Sequence, residues 1–166
     1  MKCKLLDICE YRKGKVNTSN LTLKTYISTE NMLPDKAGIL EANSLPSTAL
    51  VQEYKENDIL ISNIRPYFKK IWQAKYDGGC SNDVLVFQGN LNVDNDLLYY
   101  LLANDDFFAY SMATSKGTKM PRGDKKSIMQ YEVPCYEIQI QQKIASILKS
   151  IDEKIEINNR INNNLV

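Results

Sequence analysis

The sequence predicts an α+β fold, a mixed or curved sheet followed by a long C-terminal coiled-coil helix. Short apolar runs rich in β-branched residues, such as Asp58–Ser62 and Asp83–Phe87, gather in the middle of the chain. Helical periodicity is concentrated in the C-terminal third. Strand–helix–strand alternation and internal repeats are both missing, which argues against a doubly wound parallel sheet or a solenoid. The 166 residues suit one globular domain, 1–137, plus a helical appendage, 138–166.

Taken in order, Lys4–Tyr11 reads as an opening element, a short helix ending near Lys13-Gly14-Lys15. Thr22–Thr29, with β-branched and aromatic residues, suggests a strand. Residues 30–48 contain Pro34, Gly38 and Pro46 and read as irregular loop. Asp58–Ser62 has the continuous apolar character of a buried strand and stops before Pro66. Ile71–Ala74 looks like a further strand, Gly78-Gly79 like a turn, and Asp83–Phe87 like the clearest buried strand. Asn95-Asp96 then caps a helix predicted from Leu97 to Ala113, with Leu98, Leu101, Leu102 and Phe108 facing inward. A basic loop, Thr114–Lys126, leads through a short segment around Ile128–Val133 to Pro134.

No glycine follows Gly123 and no proline follows Pro134, so nothing interrupts the final stretch. Ile144, Leu148, Ile151 and Ile155 recur at heptad spacing, and the same count continues through Asn158, Asn162 and Leu165. Charged residues flank this narrow seam. A helix over 140–165 would be roughly 39 Å long at ~1.5 Å per residue, against a radius of gyration of about 15 Å for a domain of this size. The expectation is a rod that projects and pairs with a second helix, the seam asparagines setting register. The competing expectation is a helix folded back on its own domain.

Composition excludes much. There is no histidine, which removes the commonest general base near neutral pH and the Ser-His and Cys-His nucleophile pairs. Cys3, Cys9, Cys80 and Cys135 are scattered, without CxxC spacing, and read as reduced thiols rather than a zinc site. No Gly-rich phosphate or dinucleotide loop is present, so neither a metal nor a cofactor is expected. No apolar run nears the ~20 residues of a membrane span, and Met1-Lys2-Cys3-Lys4 does not open a signal peptide. The expected location is cytoplasmic. The formal net charge of +1 conceals segregation: residues 1–30 carry +3, 55–76 carry +3 and 114–126 carry +4, whereas 77–113 carry −6.

Two basic segments carry the candidate chemistry. Around Arg65, Tyr67, Lys69 and Lys70, bases interleave with aromatics directly after a buried strand, a pattern suited to phosphate contact with ring packing on sugar or base. Lys116, Thr118, Lys119, Arg122, Lys125 and Lys126 lie in a Gly- and Thr-rich loop suited to gripping a phosphate backbone. The alternative for each is a solvated surface segment. One enzymatic pattern also occurs. Asp35 with Glu53 and Lys55 matches the loose PD-(D/E)xK signature of metal-dependent nucleases. Asp35, however, falls in a Pro/Gly-flanked loop, and Glu53 and Lys55 are expected before the strand.

The stretch Asp58-Ile-Leu-Ile-Ser-Asn-Ile-Arg-Pro-Tyr-Phe-Lys-Lys-Ile-Trp72, followed by Gly78-Gly-Cys-Ser-Asn-Asp-Val-Leu-Val-Phe87, resembles type I restriction–modification specificity subunits. So do Gly117-Thr-Lys-Met-Pro-Arg-Gly-Asp-Lys-Lys126 and the helix segment Gln141–Lys154. The resemblance spans essentially the whole chain. It departs at the helix entry, where Pro134 is followed by Cys135-Tyr136-Glu137-Ile138 rather than by a Pro-Pro-Leu-Glu-like turn. The resemblance implies a DNA target recognition domain, 1–137, and one spacer helix. A full subunit of that family has two of each, the helices packed as an antiparallel coiled coil, and each domain reads half of a split site on double-stranded DNA. Methylation and cleavage belong to separate modification and restriction subunits, so the implied role is non-catalytic. The chain corresponds to half a subunit, either a natural half-length protein or a fragment, with a second copy or second half as its helix partner. The alternatives are the nuclease and a coiled-coil protein-interaction domain that does not bind DNA.

Overall fold

The strands at Ile59–Ser62 and Val84–Gly89 form the centre of the computed structural model, which describes residues 1–164. In chain order the elements are β1 (Lys2–Lys4), α1 (Leu5–Ile8), β2 (Cys9–Tyr11), β3 (Lys15–Asn17), β4 (Tyr26–Ile27), β5 (Leu50–Tyr54), β6 (Ile59–Ser62) and β7 (Ile71–Gln73). They continue with β8 (Gly78–Cys80), β9 (Val84–Gly89), α2 (Asn95–Leu102), α3 (Asp105–Ala113), α4 (Lys125–Ile128), β10 (Glu132–Pro134) and α5 (Ile138–Asn164).

An antiparallel sheet ordered β2-β9-β6-β7 is buried on both faces. Because side chains alternate along a strand, Ile59, Ile61, Ile71, Leu85 and Phe87 turn one way. They pack with Leu98, Leu102, Phe107, Phe108 and Ile128 from the helices. Leu60, Trp72, Val84 and Val86 turn the other way, onto Ile27, Tyr54 and Cys80 of the second sheet. This double burial explains why Ile59–Ile61 of β6 and the start of β9 are continuously apolar rather than alternating. The second sheet, β3-β5-β8-β4, is mixed, with β4 parallel to β8. Its outer side packs Val16, Leu21, Tyr26, Ala42 and Val51. The result is one helical layer and two four-stranded sheets, with β1 and β10 paired in a separate two-stranded ladder.

Several expectations are corrected. Lys4–Tyr11 is a single helical turn that passes straight into β2. Of Thr22–Thr29 only Tyr26–Ile27 is strand, because Thr22 closes a turn, its carbonyl accepting from the N–H of Thr25 (3.1 Å) and of Tyr26 (3.1 Å). Gly78-Gly79 is not a turn but opens β8. A methyl at 79 would come within 2.7 Å of Leu21 and Val51, and one at 78 within 2.2 Å of the Thr25 carbonyl, so both glycines allow close approach inside a sheet. Leu50–Tyr54 is a strand the sequence reading leaves unassigned, and Glu53 lies on it. The helix predicted over 97–113 is two helices. Asp94 caps α2 by accepting from the Leu97 N–H, and Asn104 caps α3 by accepting from the Asp106 N–H, ending the run between them.

The cysteine expectation is also corrected. Cys9 and Cys80 are buried thiols, but Cys3 and Cys135 form a disulfide that links β1 to the segment entering α5. The same junction is held by the β1–β10 ladder and by the Cys135 N–H donating to the Met1 carbonyl (2.9 Å). Burial pushes the Cys9 thiol up to about 12, so it is inert at neutral pH. Among the described residues no helix is long and apolar enough to cross a membrane.

Candidate nucleic-acid interface

The end of β6 sets the geometry. After Ser62, the Asn63 carbonyl accepts from the Gly123 N–H (3.2 Å), Ile64 bridges Arg122, and the Arg65 N–H donates to the Pro121 carbonyl (2.8 Å). Lys116 and Arg122 exchange two backbone hydrogen bonds of 2.9 Å each, closing the 116–122 loop. Two basic segments some fifty residues apart in sequence therefore share one backbone junction. A further loop, 34–38, which the sequence reading missed and which brings Lys36, docks on the first of them. The Asp35 and Lys36 N–H groups donate to the carbonyls of Phe68 (2.8 Å) and Lys69 (2.9 Å). Of five non-glycine residues with positive φ among the described residues, four lie here: Asp35, Lys36, Arg65 and Lys69. Left-handed backbone at such residues is costly, and its concentration at one place is typical of functional surfaces.

The cations differ in availability. Lys36 and Lys69 both reach Asp105 (2.7 and 3.0 Å), Lys116 reaches Asp124 (3.1 Å) and Arg122 reaches Asp83 (3.2 Å). Lys36 and Lys69 hold the Asp105 carboxyl below its ordinary value. Asp124 is drawn down to about 2, first by two hydrogen bonds from Ser127 and then by Lys116. Lys70 is the most constrained. Its ammonium donates to the Thr29 carbonyl (2.6 Å), and burial lowers its pKa. Lys119, Lys125 and Lys126 are exposed and make no ion pair among the described residues, and Thr118 is exposed beside them. Arg65 is half-buried, its Nε enclosed without a protein partner. The Tyr67 and Phe68 rings meet at 4.7 Å, tilted by 48°, and remain 50% and 39% exposed, with Met120 also exposed on the basic loop. A sequence reader could have found the Lys36 segment only from Pro34 and Gly38, which mark a loop but not where it docks.

The whole chain, residues 1–166, matches the Type I restriction modification DNA specificity domain. The chain belongs to this family. It is 28% identical over 149 residues to the type I restriction enzyme HindI specificity subunit of Haemophilus influenzae, covering 84% of this chain and 32% of that protein. To the EcoDI specificity subunit of Escherichia coli it is 27% identical over 97 residues, 58% of this chain and 21% of the relative. The fold is similar to the crystal structure of the HsdS subunit from Thermoanaerobacter tengcongensis (TM-score 0.71, 19% identity, 97% of this chain and 44% of that one). It is also similar to the type I system S subunit from M. genitalium (TM-score 0.64, 17% identity, 94% and 40%). The chain thus spans from about a fifth to less than half of these relatives.

Within this specificity domain the nuclease pattern does not assemble. Asp35 packs against the 66–69 turn, whereas Glu53 lies on β5, its N–H donating to the Gly14 carbonyl (3.1 Å), with Lys55 beyond the strand end. No cluster of three His, Cys, Asp or Glu suited to a metal ion occurs among the described residues.

The terminal helix is divided. Ile144 and Leu148 are half-buried against the domain, while Ile151, Ile155, Asn158 and Asn162 are exposed. Leu165 lies outside the described residues. The side chains that anchor the helix, Gln141 and Ala145, fall beside the expected seam. The first half of the helix folds back on the domain and residues 153–164 are solvent-exposed.

Proposed function

We propose that the chain binds double-stranded DNA sequence-specifically and directs methyltransferase and restriction subunits to one half of a bipartite site, contributing no catalytic group itself. The observation that carries this reading is the junction of the 34–38, 63–70 and 114–126 segments into one basic, aromatic-bearing surface on a specificity-domain fold. Lys119, Lys125 and Lys126, with Thr118, supply phosphate contacts. Lys36, Lys69, Lys116 and Arg122 leave their carboxylates for phosphates, and Tyr67 packs against sugar or base. Arg65, unpaired with any acid among the described residues, faces the same task. Lys70 contributes mainly by fixing the turn. Domain 1–137 is the recognition unit and 138–166 the spacer. The chain would act in the compartment that holds the DNA, the cytoplasm.

The exposed stripe of α5 pairs with a second helix, from a second copy or a second half-subunit. Two copies joined by a two-fold axis would read an interrupted palindrome, since each must meet the same bases on opposite strands. The test is DNA binding by the full chain at several salt concentrations. Lys119→Ala with Lys126→Ala is expected to weaken binding and reduce the salt slope by about two, roughly one for each phosphate no longer neutralised. An unchanged affinity and slope would remove this surface from the interface.

A further inference from the structure

We infer that Asn63 and Gly123 are positioning residues, whose close packing sets the basic loop against the turn at Arg65 so that base discrimination depends on it. The inference rests on the DNA-binding reading above. Asn63 is only 8% exposed, too enclosed to touch a duplex. Its backbone is pinned twice, the N–H donating to the Asp83 carbonyl (2.8 Å) and the carbonyl accepting from Gly123 (3.2 Å). Its Oδ1 is enclosed without a protein partner among the described residues and lies against Gly123.

A methyl group at 123 would stand 2.7 Å from that Oδ1, 2.8 Å from Ile128 Cδ1 and 2.9 Å from Ser111 Oγ. Gly123 is not among the positive-φ glycines. Its requirement is therefore space rather than backbone freedom. The contact matters because of what adjoins it. Pro121, two residues earlier, accepts from Arg65, and Arg122 closes the loop onto Lys116. A displacement at 123 moves both arginines together. Hydrogen bonds to base edges tolerate only a few tenths of an ångström, whereas attraction to phosphate charge falls off slowly with distance. The packing should therefore govern discrimination and leave charge-driven affinity intact.

The experiment compares the full chain on a duplex that the wild type selects from a randomised pool and on a scrambled duplex of equal length. Failure of the wild type to select any sequence would overturn the DNA-reading function itself. Given selection, Gly123→Ala is expected to reduce the preference for the selected duplex roughly tenfold or more, the scale of one misread base pair. Affinity for the scrambled duplex and its salt slope should stay unchanged. Asn63→Ala should show the same loss. The Asn63→Ala, Gly123→Ala double variant should recover part of it, because the added methyl occupies space the amide vacates. An unchanged preference in the single variants would overturn the positioning role. So would equal losses on both duplexes, or losses that simply add in the double variant. If Gly123→Ala does not fold, Asn63→Ala alone decides: retained preference refutes the role and selective loss supports it.

Discussion

The two halves of α5 share a recurrence of isoleucine and have opposite surroundings. Between Ile138 and Asp152, Gln141 donates to the carbonyls of Tyr136 (2.8 Å) and Asn92 (3.2 Å) and accepts from the Asp94 N–H (3.0 Å). Ala145 is buried, Lys149 reaches Asp96 (2.8 Å) and the Tyr100 hydroxyl donates to Asp152 (2.7 Å). From 153 to 164 every residue is exposed, and the cross-links there are within the helix, such as Glu156 with Arg160. At about 100° per residue, Gln141, Ala145, Lys149 and Asp152 form one stripe, while Ile140, Ile147, Ile151 and Ile155 form its neighbour. Ile144 and Leu148 share the border. One helix therefore offers two adjacent faces: a small, polar one is satisfied by its own domain, and a branched apolar one is exposed. Apolar periodicity alone marks the face that lacks cover, because the face already covered is built from Gln, Ala and a salt bridge.

The difference can be broken from either side. The largest effect is expected at the helix entry. Cys3→Ser should lower stability by about 2–5 kcal/mol, as for loss of a long-loop disulfide. Chemical denaturation should report this, and only two of the four thiols of the unfolded, unreduced wild type should react with a thiol reagent. Four reactive thiols would remove the cross-link.

Gln141→Ala comes next. It strips partners from the Asp94 N–H and two carbonyls at a buried site, which costs about 1–3 kcal/mol, and hydrogen exchange along 138–152 should accelerate while that of the central sheet is unchanged.

Lys149→Ala should cost less, about 0.2–1 kcal/mol, because the pair with Asp96 is partly exposed. Burial acts to raise the Asp96 carboxyl, but hydrogen bonds from Lys149 and Gln73 outweigh it and hold it below its ordinary value. Its stabilisation is accordingly complete above the unfolded value of 3.8 and lost as pH falls through the lower folded value. The difference between wild type and variant should shrink over that acid range.

The smallest effect on the folded monomer, within about 0.5 kcal/mol, is expected for Ile151→Asp with Ile155→Asp, since both side chains are about half exposed. The same variant should abolish self-association in sedimentation if the stripe pairs with another copy. Identical sedimentation of wild type and variant would exclude that partner.

Much of the fold was legible locally. β6 and β9 announce themselves because Ile59–Ile61 and Val84–Phe87, buried on both faces, form continuous apolar runs, and α5 because an uninterrupted helix displays its period over many turns. β5 and β8 were not legible. Leu50–Tyr54 mixes exposed and buried positions, and Gly78-Gly79 carries a turn signal that the crowding of Leu21 and Val51 overrides. At the proposed interface, the two basic segments could be read but not their meeting at Arg65 and Pro121, and Lys36 could not be read at all.

By itself the sequence determined the family, the charge segregation, the central strands and the long helix, since each depends on composition or on periodicity along the chain. Only the tertiary structure decided which lysines are paired, that Cys3 meets Cys135, that Gly123 fits beneath Asn63, and where α5 leaves its domain. Those outcomes depend on distances between residues remote in sequence, and such distances are set by how the helical layer and the sheets pack on one another rather than by any local preference.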